Sequence, residues 1–229
     1  LVEGDPKSVL LDHKFFLISY DVETRWASWV LYRLTSEELA QTRARRKDRF
    51  VVDPIAQRLG LPVVSPEDYD GRIYDRGHMA PSDDFVFDQA ANDQTFVMTN
   101  MLPQKRALNR GSWSRLEKQV RAWACTEKQL RVITGPIKER APLKMTSGLG
   151  IPQRFFKVIL DETPPRKALA FVYSQEDGKA LPKTQVRTVE AVQKETGLHF
   201  FPDLLATERA KIIKEARLDQ WKESNCRRK

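Results

Sequence analysis

The sequence predicts one mixed α+β domain, and three observations carry that reading. Short runs rich in β-branched and aromatic residues occur in both halves of the chain. Helical periodicity appears between and after them, and no Pro/Gly/Ser-rich linker separates the two kinds of segment. At 229 residues and 41% hydrophobic, the chain can bury a full core without staples, whether as one large domain or two small ones; the missing linker favours one, spanning 1–229.

In order along the chain, residues 14–20 read as a buried strand, and 26–34, which mix aromatic and β-branched residues with small ones, as its hairpin partner. Thr35 or Ser36 caps a short helix through Glu37, Glu38 and Leu39. From Arg43 to Arg49 five residues of seven are basic, a stretch that is either a solvated loop or an edge that contacts phosphate. Residues 66–74 are turn-rich. A helix is expected over 88–93 and a short strand over 95–99. Residues 112–125 give the clearest helix, with Trp113, Leu116, Val120 and Trp123 at near-helical spacing and Ser112 as its cap. Strands follow at 130–134, 154–160 and 168–173. An amphipathic helix over 188–196 stops at Gly197. A last helix over 206–219 precedes a basic tail ending Arg227-Arg228-Lys229.

Thirty-nine Lys and Arg against 31 Asp and Glu leave a net charge of +8 and a pI near 9.5. Such a balance suits polyanionic partners, nucleic acid first and acidic membrane second. No apolar run approaches the ~18 residues of a membrane span, so a soluble protein with no membrane partner is expected. Two cysteines, Cys125 and Cys226, are too few for a disulfide scaffold and too far apart for a metal knuckle. They form either one bridge that ties down the C-terminal tail or leave Cys125 as a buried thiol in an apolar helix. The chain starts at Leu1 without Met or an apolar signal segment, which reads as a processed or trimmed product.

Only three histidines occur. His13 precedes an apolar strand and His199 sits between Leu198 and Phe200, and both read as structural. His78 differs. It closes the run Asp75-Arg76-Gly77-His78, in which an arginine lies beside the histidine and a glycine permits an unusual backbone turn. That grouping suggests a positioned base next to a phosphate-binding cation. Downstream, Asn109 lies just before the clearest helix and Glu117 about two turns along it. At ~1.5 Å per residue their Cα atoms stand roughly 12 Å apart along the axis. One of them can bind a small cation while the other acts through water, an arrangement that suits Mg²⁺, which keeps several waters.

Taken together, Asp75-Arg76-Gly77-His78, Thr99-Asn100-Met101-Leu102-Pro103-Gln104 and Asn109-x-Gly111-x-Trp113-x-x-Leu116-Glu117 resemble the sugar-non-specific DNA/RNA endonucleases of the ββα-metal type, the group of the Serratia and Anabaena nucleases and mitochondrial endonuclease G. The likeness runs from Phe16 to Pro202. It implies a ββα-metal (His-Me finger) fold, with a central antiparallel sheet flanked by helices. It also implies that His78 activates the attacking water, Asn109 is the one direct protein ligand of the metal, and Glu117 orients water there. Arg76 then stabilises charge on the phosphate. A second arginine comes from the basic stretch, with Arg46 the best match and Arg49 and Arg45 its competitors. Asn100 holds the active-site loops. The implied cofactor is Mg²⁺, with Mn²⁺ as a substitute, and the implied products carry 5′-phosphate. The substrates are DNA and RNA; a homodimer and a protein inhibitor are further possible partners. The bacterial-looking run through Met79-Ala80-Pro81 and the missing leader point to a secreted or periplasmic bacterial enzyme, with a mitochondrial one as the alternative.

Other classes find less support. A non-catalytic nucleic-acid binder on the same fold would lack His78, Asn109 or Glu117, and all three are present. A protein inhibitor or toxin-associated module has no positive feature here. Zinc binding lacks clustered Cys and His, and a serine hydrolase lacks a nucleophile elbow.

Overall fold

The β-rich halves of the sequence meet in one sheet. The computed structural model describes residues 2–5, 7–69 and 73–226. In chain order the elements are β1 (Val2–Glu3), β2 (Val9–Asp12), β3 (Phe16–Asp21), β4 (Trp26–Thr35), α1 (Ser36–Leu39), α2 (Pro54–Arg58), β5 (Tyr74–His78), α3 (Gln89–Gln94) and β6 (Met101–Lys105). Then come α4 (Ser114–Glu127), β7 (Gln129–Pro136), β8 (Leu143–Lys144), β9 (Gly150–Ile151), β10 (Arg154–Asp161), β11 (Lys167–Ser174), β12 (Val186–Arg187), α5 (Val189–Thr196), β13 (His199–Phe200) and α6 (Ala206–Ile212). Seven strands form the main sheet in the order β12-β11-β10-β7-β4-β3-β2, every neighbouring pair antiparallel.

Both faces of the central strands are covered, which is why they read as nearly continuous apolar runs. On one face Val30, Tyr32, Val132, Phe155, Ile159 and Phe171 pack with Leu116, Val120 and Trp123 of α4. On the other, Ile133, Phe156, Val158 and Ala170 pack with Val189 and Val192 of α5 and Ile212 of α6. The result is three layers, helix, sheet and helices. β4 and β7 are hydrogen-bonded neighbours, yet residues 36–128 run between them. That insertion carries the β5–β6 hairpin and α4, and therefore every residue of the candidate site.

Local chemistry sets several boundaries as expected. The Thr35 hydroxyl accepts from Glu38 N at the start of α1, and Thr188 caps α5 through Ala191 N. Gly197 ends α5 at φ 73°, the left-handed geometry that favours glycine.

Four expectations are corrected. Residues 95–99 form a turn and the start of a 3₁₀ segment; only Val97 bridges, to Val51. Turn bonds hold their backbone instead, Phe96 N to Asp93 O and Val97 N to Gln94 O, and Asn100 Nδ2 donates to Thr95 O at 2.8 Å. Ser112 is not a helix cap. The helix starts one wide π turn earlier, at Leu108–Trp113, and the Ser112 hydroxyl donates instead to the carbonyl of Asp177 in a loop crossing that turn. Gly111 makes the crossing possible, because a Cβ there would lie 2.3 Å from Gly178 O. The last helix ends at Ile212 rather than near 219, as the chain turns away to pack Trp221 against Trp123, ring centres 5.3 Å apart and planes tilted by 55°. Finally, Gly77 lies within strand β5 and is not among the glycines with positive φ; its role is space, described below. The basic tail at 227–229 falls outside the described residues.

Cys125, in α4, and Cys226 form a disulfide across a sequence separation of 101. With the neighbouring bond from Ser224 N to Ala122 O, it straps the C-terminal segment along α4. Closing a loop of about 100 residues restricts the unfolded chain by up to roughly 4.7 kcal/mol, and native bridges commonly deliver about 2–4. The variant Cys125→Ser/Cys226→Ser should therefore melt several degrees lower in thermal unfolding; an unchanged Tm would show that the strap adds no stability.

Candidate active site

The site grows from the β5–β6 hairpin. Register pairs Asp75 with Gln104, Gly77 with Leu102 and His78 with Met101. Strand alternation then sends Arg76 and His78 to one face and Asp75 and Gly77 to the other. Gln104, fully buried, lies over Gly77 so closely that a Cβ there would sit 2.2 Å from its Oε1. The glycine of the motif is thus a packing requirement.

His78 is 8% exposed. Its ring meets the Phe96 ring edge-on at 4.9 Å and lies 6.0 Å from Phe50. Nε2 is buried and has no partner among the described residues. Asn100 clamps the chain just beyond: its Oδ1 accepts from Ala80 N at 2.9 Å, and its Nδ2 donates to Ala80 O at 3.0 Å. Burial, reinforced by the Arg46 charge, pushes the His78 pKa down from 6.5 to about 3. The imidazole is therefore neutral at working pH.

Arg46 stacks over Phe96 at 5.4 Å and is held by Ser82 Oγ at 3.0 Å and Asp48 Oδ1 at 2.8 Å. Of the three arginines the sequence left in competition, this is the one whose charge acts on His78. Arg45 is engaged through its backbone by Gln89, and the charge of Arg49 acts on Asp93. Arg76 lies over the Phe50 ring at 4.9 Å and the Tyr69 ring at 5.9 Å, donates to Pro66 O at 2.7 Å, and keeps a buried Nε with no partner among the described residues.

On the other face Asp75 ties the hairpin to the wide helical turn. It accepts from Asn109 Nδ2 at 3.0 Å and from Arg110 through two bonds of 2.8 Å, with Arg106 Nε at 3.6 Å. Burial alone would raise the Asp75 pKa, but Arg110 and Asn109 outweigh it and hold the carboxyl below its usual range. With the amide nitrogen of Asn109 committed to Asp75, the amide oxygen is the atom of this side chain that could take a cation. Glu117, half-buried on α4, has no hydrogen bond to any described residue. Burial raises its pKa, opposed chiefly by Lys157. The 12 Å spacing expected between Asn109 and Glu117 assumed a regular helix, and the wide turn at Leu108–Trp113 breaks that assumption.

This donor set fits a hard divalent cation. It offers a neutral amide oxygen and a nearby carboxylate, and among the described residues no three His, Cys, Asp or Glu cluster as a metal cage. The remaining positions would be water and phosphate oxygens.

The sequence profile of the DNA/RNA non-specific endonucleases matches residues 2–207. The chain belongs to this family. It is similar to the mitochondrial nuclease of Saccharomyces cerevisiae, 29% identical over 237 residues that cover 90% of this chain and 69% of the relative. It is also similar to nuclease C1 of Cunninghamella echinulata var. echinulata, 33% identical over 222 residues covering 88% and 86%. Among solved structures, that of the EndoG/EndoGI complex superposes with a TM-score of 0.76 at 26% identity, covering 87% of this chain and 88% of the other. The ββα-metal fold expected from the motifs is the fold observed, and the chain is a hydrolytic nuclease of a metal-dependent family acting on DNA and RNA.

Within this non-specific endonuclease, sequence reading did not assign roles to Asp75, Phe50, Phe96 and Tyr69. Asp75 stood in the motif and was within reach; the aromatic walls come from separate segments. His13 is structural as expected, bonded to buried Asp53 at 2.9 Å, and His199 is exposed in a two-residue strand. Substituting Gly77→Ala should force Gln104 out of place and cost about 1–3 kcal/mol, the range for overpacking. Urea unfolding measures this, and a wild-type midpoint would show that Gln104 has room to move.

Proposed function

We propose that residues 1–229 form one nuclease domain that cleaves DNA and RNA by in-line attack of water, leaving 5′-phosphate ends. The observation that carries this reading is the neutral His78 with its buried, unpartnered Nε2. That atom accepts a proton from the attacking water. Arg46 and Arg76 bind the scissile phosphate with nitrogens that no described residue engages, and their planar forks suit its oxygens. The flanking Phe96, Phe50 and Tyr69 hold both guanidinium groups flat. Asn109, through its amide oxygen, and Glu117, at longer range, would hold Mg²⁺, with Mn²⁺ as a substitute. When bound, the cation offsets charge on the phosphate and the leaving 3′-oxygen. Contacts limited to backbone phosphate predict weak sequence preference, and the +8 charge predicts inhibition by salt.

The disulfide supports an oxidising compartment, hence a secreted or periplasmic enzyme; relatives named as mitochondrial nucleases support the alternative. A relative solved with EndoGI supports a protein inhibitor as a possible partner. A homodimer stays a proposal carried by the family resemblance.

Plasmid and RNA cleavage with Mg²⁺ should stop on adding EDTA. His78→Ala should lose about 10²–10⁴-fold in kcat, the usual weight of a general base, while still binding metal. Asn109→Ala should instead need far more metal for half-maximal rate; an unchanged metal requirement would remove it from the ligand set.

The proton equilibrium of His78 can be read directly. Its ring NMR signals should hold their neutral positions from pH 8 to about pH 5; a midpoint near 6.5 would mean a solvated ring. Because the folded pKa of about 3 lies below the unfolded value of 6.5, His78 contributes stability that is complete above 6.5. That contribution is lost as the pH falls towards 3.

A further inference from the structure

The β5–β6 hairpin is a sheet of two strands, so one edge of β6 has no strand beside it. Gln175 fills that place. It is 2% exposed; its Nε2 donates to Pro103 O at 2.8 Å and its Oε1 accepts from Lys105 N at 2.7 Å. Those two backbone groups flank Gln104 and are the pair that a residue of a neighbouring strand would engage, so one side-chain amide takes the part of a third strand. The other amide hydrogen goes to Pro152 O at 2.8 Å, between β9 and β10. A carboxamide has two donor hydrogens and one acceptor oxygen, and here each is used.

Gln175 is itself firmly placed. It follows β11, which pairs with β10 over its whole length, and its own N–H donates to Gln153 O at 3.0 Å. The chain then makes a tight turn, in which Asp177 Oδ2 accepts from Ser174 N at 2.6 Å and Ala180 N donates to Asp177 O at 3.0 Å. The same turn grips the wide helical turn that bears Asn109. The Ser112 hydroxyl donates to Asp177 O, Ser112 N to Gly178 O at 3.2 Å, and Arg115 Nη1 to Ala180 O at 3.0 Å. A Cβ at Gly178 would lie 2.7 Å from that of Ala107, so the two backbones are in close contact. Residues 175–180 thus hold the free edge of the hairpin and the wide turn at once, from the end of a strand of the main sheet.

We propose that Gln175 is a positioning residue for phosphodiester hydrolysis: through Pro103 and Lys105 it fixes the hairpin, and with it His78 and Arg76, against the main sheet and the turn that bears Asn109. This rests on the reading of His78 as the base. An apolar side chain of similar length would fill the same space. It would also leave Pro103 O, Pro152 O and Lys105 N without their partner, and the hairpin edge free to shift.

The test compares Gln175→Met, which keeps the bulk but none of the hydrogen bonds, with Val192→Ala, which loosens the core on the other face of the sheet. Both are made in the full chain. For each, kcat and KM are measured with Mg²⁺ well below its Tm, and the His78 ring NMR signals are recorded without metal. Gln175→Met should lower kcat about 10–100-fold with KM little changed, since a misplacement of about 1 Å at the reacting groups can cost about 100-fold. Its His78 signals should shift or broaden. Val192→Ala should lower Tm and leave kcat and the His78 signals as in the wild type. Wild-type kcat or unchanged His78 signals in Gln175→Met would exclude Gln175 as a positioning residue, and so would an equal loss of kcat in Val192→Ala. If Gln175→Met does not fold, Gln175→Glu, which keeps an acceptor for Lys105 N but loses both donors, is judged in the same way. In the wild-type protein the Lys105 amide should exchange its hydrogen slowly, and exchange at the rate of an open amide would overturn the proposal without any variant. Wild-type kcat in His78→Ala would overturn the reading of His78 instead.

Discussion

The Asp75 carboxylate joins two pieces of chain directly to each other. It sits on the β5–β6 hairpin and accepts at once from Asn109 and, through two bonds, from Arg110 on the wide helical turn. Bonds to an ionised acceptor in fork geometry are both strong and directional. This one carboxylate therefore sets the distance between the hairpin that bears His78 and the turn that bears Asn109, and also decides which end of the Asn109 amide faces outward. The packing of Gln104 over Gly77 stiffens the hairpin end of the same connection.

Around that joint, charge is organised by how far it is removed from water. Burial, with the Arg46 charge beside it, holds the His78 pKa well below its ordinary value. Aromatic faces and a few hydrogen bonds hold the guanidinium groups of Arg46 and Arg76 in place. On the inner side of α4, Arg121 donates to buried Asp84, which also accepts from Tyr32. His78 and Glu117 stand on a strand and a helix fixed by apolar packing, whereas Arg46 lies in the segment 41–50, which has no regular secondary structure.

The placement of the site in the insertion between β4 and β7 explains why the motifs look scattered. Residues 36–128 leave the sheet after β4 and return as β7, so the hairpin and helix are mounted on one face of a sheet built from both ends of the chain. The strap from Cys125 to Cys226 then fastens the C-terminal segment to the far end of the same helix.

Much of this was legible from residues alone. Apolar periodicity placed α4, α5 and the three strands β7, β10 and β11, because a segment buried on one stripe or on both faces must repeat its apolar residues. Motif spacing placed His78, Arg76 and Asn109, since a hairpin and the start of a helix are local structures. The failures share a cause. Ser112 and residues 95–99 have the composition of a cap and a strand, but the Ser112 hydroxyl is taken by the carbonyl of distant Asp177, and residues 95–99 bond within a turn and to Val51. A choice among Arg45, Arg46 and Arg49 depends on which one meets Phe96, fifty residues away in Arg46's case. Lys157, within Phe155-Phe156-Lys157-Val158-Ile159, shows the division most clearly. Its presence in a strand buried on both faces was visible as a charge among apolar residues. Its surroundings were not, because Thr134 and Trp113 lie on a neighbouring strand and a helical turn that only the tertiary fold brings beside it. Sequence determined the elements and the chemical groups, whose signals are local; tertiary structure decided which groups meet, since electrostatic and packing partners depend on distance in space.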